Sequence, residues 1–246
     1  MAACADWTLE VARGAAAALG RPTFPFAGDL DVSKKLIRKE DVVVLLLDHQ
    51  TGLMSLVRDY GPEEFLNNLL ALAQTVKAFD LPTILATSVE EGANGPIVPQ
   101  LPEILPGAPI VRRAGEINAW DNPAIREAVI ATGRRQVLIA GIVTEVCVAM
   151  PALSLVEEGF EVFVVTDASG TFTVADRQAA HLRMTGAGIQ LLNWFAVACE
   201  LQRDWRDNGA VLASLMGGRI PDYGNLIASL SAQQALLGGR TASLAA

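Results

Sequence analysis

Gly141-Ile142-Val143-Thr144-Glu145-Val146-Cys147-Val148 is the stretch on which the reading of this chain turns. Before it stands Gln136-Val137-Leu138-Ile139-Ala140, an aliphatic and β-branched run that predicts a buried strand. After it, Ala149 to Glu158 reads as a helix closed by Gly159. Cys147 is therefore expected in the first turn of a helix, just past a strand-to-helix elbow. A helix N-terminus offers free N–H groups and about half a positive charge, which favours thiolate over thiol. Such amides can also hold a developing oxyanion. The alternative is a small buried hydrophobe, the commoner fate of a cysteine in an apolar segment.

Further out, Asp41-Val42-Val43-Val44-Leu45-Leu46-Leu47 forms another apolar run and ends in Asp48. In open α/β sheets, sites form outside the carboxyl ends of strands, and both Asp48 and the elbow before Cys147 fall at such ends. Strand-like runs recur at Val42–Leu47, Thr83–Thr87, Pro109–Val111, Gln136–Ala140, Glu161–Thr166 and Gly188–Leu192. Helical patterns occupy Pro62–Asp80, Asn122–Thr132, Glu145–Glu158, Ala175–Thr185 and Asn193–Asp207. This alternation predicts an α/β fold with a parallel sheet covered by helices on both faces. The connection from Glu90 to Pro109 is long and rich in Gly and Pro, as loops serving a site or a subunit contact often are. Residues 1–31 read as a flexible extension, 32–229 as one domain, and the Ala-, Ser- and Leu-rich chain after Pro221, with a tail over 230–246, as largely irregular.

Composition narrows the function. The chain has 246 residues, 51% hydrophobic, with 19 basic against 27 acidic side chains and a net charge of −8. An acidic protein without basic stripes suits neither nucleic acid nor an anionic membrane surface. Gln136 to Val156 is nearly charge-free apart from Glu145. Gly141 and Pro151 nevertheless break it into strand, turn and helix rather than a membrane span. Cys4, Cys147 and Cys199 form no C-x-x-C pair, which argues against a disulfide framework and for a reducing, cytoplasmic setting. No secretory signal is legible in the first forty residues.

Several motifs together resemble the isochorismatase-like cysteine hydrolases, in their YcaC-like branch. They are Leu47-Asp48-His49-Gln50, Asn94-Gly95-Pro96, Gly115-Glu116-Ile117-Asn118-Ala119-Trp120-Asp121-Asn122, the Gly141 to Cys147 segment, Val164 to Thr171 and Ile220-Pro221-Asp222-Tyr223. The resemblance runs from about Val32 to Ser229. It implies a Rossmann-like parallel sheet and an Asp-Lys-Cys triad acting on amides and related substrates. Asp48 matches the aspartate and Cys147 the nucleophile. The lysine is absent, since no Lys lies beyond Lys77, and its position holds Arg113, with Arg112 beside it. Arginine keeps the charge but cannot give up a proton. The resemblance also implies a cis peptide at Ile142–Val143 that aims the Val143 amide, with that of Cys147, at the substrate oxygen.

Metal-binding relatives in the superfamily need further histidines, and this chain has only His49 and His181. No metal and no cofactor are therefore expected. His49 reads as a packing or hydrogen-bonding neighbour of Asp48, His181 as a surface or interface residue, Trp120 as a pocket wall or a core residue, and Cys199 as structural. Two functions stay open. One is a metal-independent cysteine hydrolase, acting through a thioester on a C–N bond of a small amide-like molecule. The other is a non-hydrolytic oligomer, redox-responsive or scaffolding, that keeps the fold and a reactive thiol. A mean hydropathy of +0.34 and apolar helices predict a homo-oligomer in either case.

Overall fold

The computed structural model describes residues 36–244, with side chains placed through residue 236. The extension expected over residues 1–31 lies outside them. Six strands are β1 (Val42–Leu47), β2 (Thr83–Ser88), β3 (Ile110–Arg113), β4 (Gln136–Gly141), β5 (Glu161–Val165) and β6 (Gln190–Leu192). The longer helices are α1 (Pro62–Ala78), α2 (Pro123–Ala131), α3 (Ala149–Glu157), α4 (Val174–Gly186), α5 (Trp194–Gln202), α6 (Ala210–Arg219) and α7 (Pro221–Leu244).

Every pairing is parallel and the strand order is β3-β2-β1-β4-β5-β6. The buried strands alternate their side chains between two cores. Val44, Leu46, Leu85 and Leu138 pack under α1, α5 and α6. Val43, Leu45, Leu47, Val137 and Ile139 pack under α2, α3 and α4. That two-sided burial is why β1 and β4 read as continuous apolar runs rather than alternating ones. The order reverses between β1 and β4, and at such a switch point the loops diverge and leave a crevice. Leu47 pairs with Gly141 there, so Asp48 and the Ile142–Val143 segment leave the sheet side by side. Gly141 is required by this approach: a Cβ on it would stand 2.6 Å from the Leu47 carbonyl oxygen.

Three expectations need correction. The helix expected from Glu145 begins as a π-helical turn, Thr144–Val148, and α3 starts only at Ala149. The loop from Glu90 to Pro109 contains a short helix, Gln100–Ile104. The chain after Pro221, expected to be irregular, is helical to Leu244. Pro221 sits where a helix tolerates it, at the start. The Ser and Gly content of the segment conceals the helical spacing of its leucines. Among the described residues no helix is long and apolar enough to cross a membrane.

Candidate active site

Asp48 follows β1 with φ of 59°, a left-handed conformation that aspartate tolerates better than most residues. Its amide donates to the Ala86 carbonyl at 2.8 Å, and its carbonyl accepts from the Gln50 amide at 2.8 Å. The carboxylate is thereby turned into the crevice, fully buried. Arg113 closes β3 and comes from two strands away. Its Nη2 donates to both Asp48 oxygens, and its Nη1 donates to the Glu116 carbonyl. The guanidinium side chain is 1% exposed, whereas Arg112, its neighbour on the strand, is 64% exposed and pairs with Glu90 at 2.8 Å. Alternation along the strand puts one arginine in the site and the other in water.

Cys147 lies in the π-helical turn, half-buried, with its thiol beside the Asp48 carboxylate. The Ile142–Val143 peptide is cis, where the family resemblance places one, and the Val143 amide is turned to the sulfur. The Cys147 amide is otherwise engaged, donating to the Val143 carbonyl at 2.8 Å. Of the two expected oxyanion donors, Val143 is thus the one facing the Cys147 sulfur.

The thiolate expected from a helix N-terminus is not what the surroundings favour. Burial first, then the charge and hydrogen bonding of Asp48, push the Cys147 thiol up to about 12, against weaker opposing pulls from the Val143 amide and Arg113. The resting group is a neutral thiol. The helix end does not favour the thiolate because α3 begins beyond Cys147, and burial together with the Asp48 anion outweighs the Val143 amide and Arg113.

The remaining motif residues build the frame. Trp120 is a core residue, 1% exposed, donating through Nε1 to Glu158 at 2.9 Å. Asn122 caps α2 through the Ala124 amide at 3.0 Å, and Asn118 caps the turn before it. Gln50, fully buried, ties the loop after β2 in place by accepting from the Ser88 amide at 2.8 Å and donating to the Gly95 carbonyl at 2.5 Å. Thr171 joins two loops: its hydroxyl donates to Glu145 at 2.7 Å and its amide to the Asp59 carboxylate at 2.9 Å. Gln50, Asp59 and Thr171 were not anticipated as supports. Glu145 was visible in advance as the lone charge in an apolar stretch. Cys199 packs at the edge of the α5 core. Among the described residues no group of three His, Cys, Asp or Glu side chains is placed to hold a metal ion.

Residues 42–195 match the Isochorismatase domain family. The chain belongs to the isochorismatase family. It is 59% identical over 191 residues to the probable hydrolase YcaC of Escherichia coli (strain K12), spanning 78% of this chain and 92% of that protein. The E. coli YcaC crystal structure, described as an octameric hydrolase of unknown specificity, superposes with a TM-score of 0.80 at 58% identity, covering 80% of this chain and 97% of that one. YcaC from Pseudomonas aeruginosa with hexane-2,5-diol and covalent acrylamide gives 0.79 at 58% identity, covering 80% and 98%. The parallel sheet and its flanking helices are those of the isochorismatase family.

His49 sits between Asp48 and this frame as a neutral ring. Its Nε2 faces the Ala168 carbonyl at 2.9 Å, and burial pushes the imidazole down to about 4. Next to Ala168, burial pushes the Asp167 carboxyl up to about 6 although it accepts from the Trp194 amide at 2.9 Å. The two act in opposite directions on stability. His49 contributes stability above its ordinary 6.5 that is lost as pH falls toward 4. Asp167 contributes stability below its ordinary 3.8 that is lost as pH rises toward 6. Asp167→Asn removes the second effect alone. The unfolding free energy of that variant relative to the parent should therefore grow by roughly 2 kcal/mol between pH 4 and pH 6.5. Urea titrations across that range measure it, and a pH-independent difference contradicts the assignment.

Proposed function

We propose that this chain is a cysteine hydrolase that cleaves a C–N bond of a small amide-like substrate without a metal, Cys147 being the nucleophile. The observation that carries the reading is a neutral thiol beside a carboxylate that is itself gripped by a guanidinium, with a free-facing amide at the sulfur. A thiol at about 12 is no nucleophile at neutral pH, so its proton has to leave as it attacks. Asp48 is the acceptor within reach. Before transfer the three groups are carboxylate, guanidinium and thiol, and afterwards carboxylic acid, guanidinium and thiolate. The net charge of the buried group stays zero throughout, and the anion that opposed ionisation has vanished while the Arg113 cation remains. This is why arginine serves where relatives of the wider family have lysine: the cation holds charge and moves no proton.

The sulfur then bonds to the substrate carbonyl carbon and the Val143 amide stabilises the oxyanion. The C–N bond breaks, Asp48 returns its proton to the departing nitrogen, and a thioester and an amine result. Water, deprotonated by Asp48, attacks the thioester and releases the carboxylic acid and the thiol. Covalent acrylamide in the P. aeruginosa relative is the product of a nucleophile adding to the activated C=C bond with the amide left intact, so it supports a reactive nucleophile in that relative and is not itself C–N cleavage. We further propose a homo-oligomer, in line with the octamer described for the E. coli relative.

The test is amine release from a panel of small amides, with acid-quenched samples analysed by intact mass. Release accompanied by an acyl adduct mapped to Cys147 is the expected result. Rapid alkylation of Cys147 with no amide consumed would overturn the reading in favour of a non-hydrolytic thiol protein.

A further inference from the structure

Cys147 is carried by the π-helical turn Thr144–Val148, whose entry has no side-chain cap. Within that turn Thr144, though buried, leaves its hydroxyl without a hydrogen-bond partner, and the two valines have no polar group to offer. Apart from the thiol, Glu145 is therefore the one side chain of the turn that hydrogen-bonds outside it among the described residues. Its partner is Thr171, whose hydroxyl donates to Glu145 Oε2 at 2.7 Å. A carboxylate acceptor makes such a bond stronger than a neutral one.

Thr171 is itself held from several sides. It is fully buried, its amide donates to the Asp59 carboxylate at 2.9 Å, and its carbonyl accepts from the Arg58 amide at 2.9 Å. Arg177 secures Asp59 in turn, donating to its carbonyl at 3.1 Å with the guanidinium over the Tyr60 ring at 4.5 Å. One residue earlier, the Gly170 carbonyl accepts from the Thr144 amide at 3.1 Å, and a Cβ on Gly170 would stand 2.6 Å from the Val57 side chain. The segment after β5 thus grips the nucleophile turn at two successive residues, Thr144 through the backbone and Glu145 through the side chain.

We propose that Glu145 and Thr171 are positioning residues for Cys147: their hydrogen bond fixes the rotation of the π turn at which the sulfur stands beside the Asp48 carboxylate. The backbone contact at Thr144 alone is a pivot, and a rotation that moves Glu145 moves Cys147 with it, two residues on in the same turn. Asp48 and Arg113 are the ionisable groups that face the sulfur, and burial together with Asp48 keeps the thiol protonated. A turn released from Thr171 should bring the sulfur into water and away from Asp48, which raises the thiolate fraction at neutral pH. The proton acceptor is then out of place for the attack on substrate. Alkylation of Cys147 should speed up while amide turnover slows. The turnover half rests on the hydrolase reading, and the alkylation half does not.

The full chain with Thr171→Val, which removes the hydroxyl and keeps the backbone bonds, is compared with Thr171→Ser, Glu145→Gln and the parent. Iodoacetamide labelling is mapped residue by residue as a function of pH. Thr171→Val should quicken Cys147 labelling about three- to tenfold at neutral pH, since part of the gain in thiolate is offset by its weaker nucleophilicity. The rise of the labelling curve should move to lower pH, and Cys199 should be unaffected. For amine release, kcat should fall about tenfold or more with KM nearly unchanged, the loss expected when a reacting group is misplaced. Thr171→Ser should match the parent, and Glu145→Gln, which keeps an acceptor without the charge, should lie between. Unchanged Cys147 labelling in both Thr171→Val and Glu145→Gln overturns the inference. Equal quickening of Cys147 and Cys199 also overturns it, because that marks a general loosening of the fold. If the parent releases no amine, the hydrolase reading fails and the labelling curves alone decide the positioning.

Discussion

Arg113→Ala is expected to lower the free energy of unfolding by about 3–5 kcal/mol, the penalty for stranding one charge of a buried pair. Asp48 has no exposed surface and its ion-pair partner is almost as deeply buried, so water cannot replace the guanidinium. The Glu116 carbonyl would lose its donor as well. Adding Asp48→Asn to Arg113→Ala should return a large part of the loss, since it removes the stranded charge, and the two substitutions should be strongly non-additive. Arg113→Lys should fall between, keeping charge but not the planar fork that reaches both carboxylate oxygens. Arg112→Ala should cost less than about 1 kcal/mol, because its pair with Glu90 is solvent-exposed. Guanidinium titrations of the four variants decide the matter. Equal losses at positions 112 and 113 would mean that the buried pair is not what holds this part of the fold.

Cys147→Ala is expected to depress amide turnover on the order of 10⁴-fold or more, as removal of a covalent nucleophile does in other hydrolases. The same profile should distinguish how the thiol is activated. In the parent, the rate of Cys147 alkylation should keep climbing past pH 10, because the thiol is pushed up to about 12. Asp48→Asn removes the carboxylate that raises it, so alkylation should level off at lower pH while amide turnover collapses for want of a proton acceptor. Arg113→Ala should move the alkylation curve the other way, since the cation opposes that rise. A parent curve that levels off below pH 9 would show a thiolate poised at rest and refute the proton-transfer scheme.

The fold was readable from residue pattern alone where burial on both sheet faces left long apolar runs, as in β1 and β4, and where Gly or Pro marked helix ends, as at Pro62, Pro123, Gly133 and Gly159. Asp48 was legible because an acidic residue ended such a run. Arg113 was legible only through the family resemblance, since nothing in Val111-Arg112-Arg113 tells which arginine turns inward until a strand register exists. What escaped was set by tertiary environment. The ionisation of Cys147 depends on how near Asp48 stands, and that contact joins segments far apart in the chain. Gln50 and Thr171 bond to loops whose paths no local pattern encodes. The exposed helix α7 escaped because its leucines are too few and its Ser, Gly and Ala too many to mark a periodic core-facing segment.

The order in which the chain supplies the site has a kinetic consequence. Asp48 leaves the ribosome with β1, Arg113 with β3 and Cys147 after β4, and the Arg113–Asp48 contact alone spans 65 residues of sequence. No contiguous fragment ending before Cys147 holds the three together, and their meeting requires β4 to insert beside β1. Contacts of such sequence separation form slowly, after local helices. Protection of Cys147 from alkylation during refolding should therefore lag behind recovery of helicity, and the slow step should be the docking of β4 into the centre of the sheet.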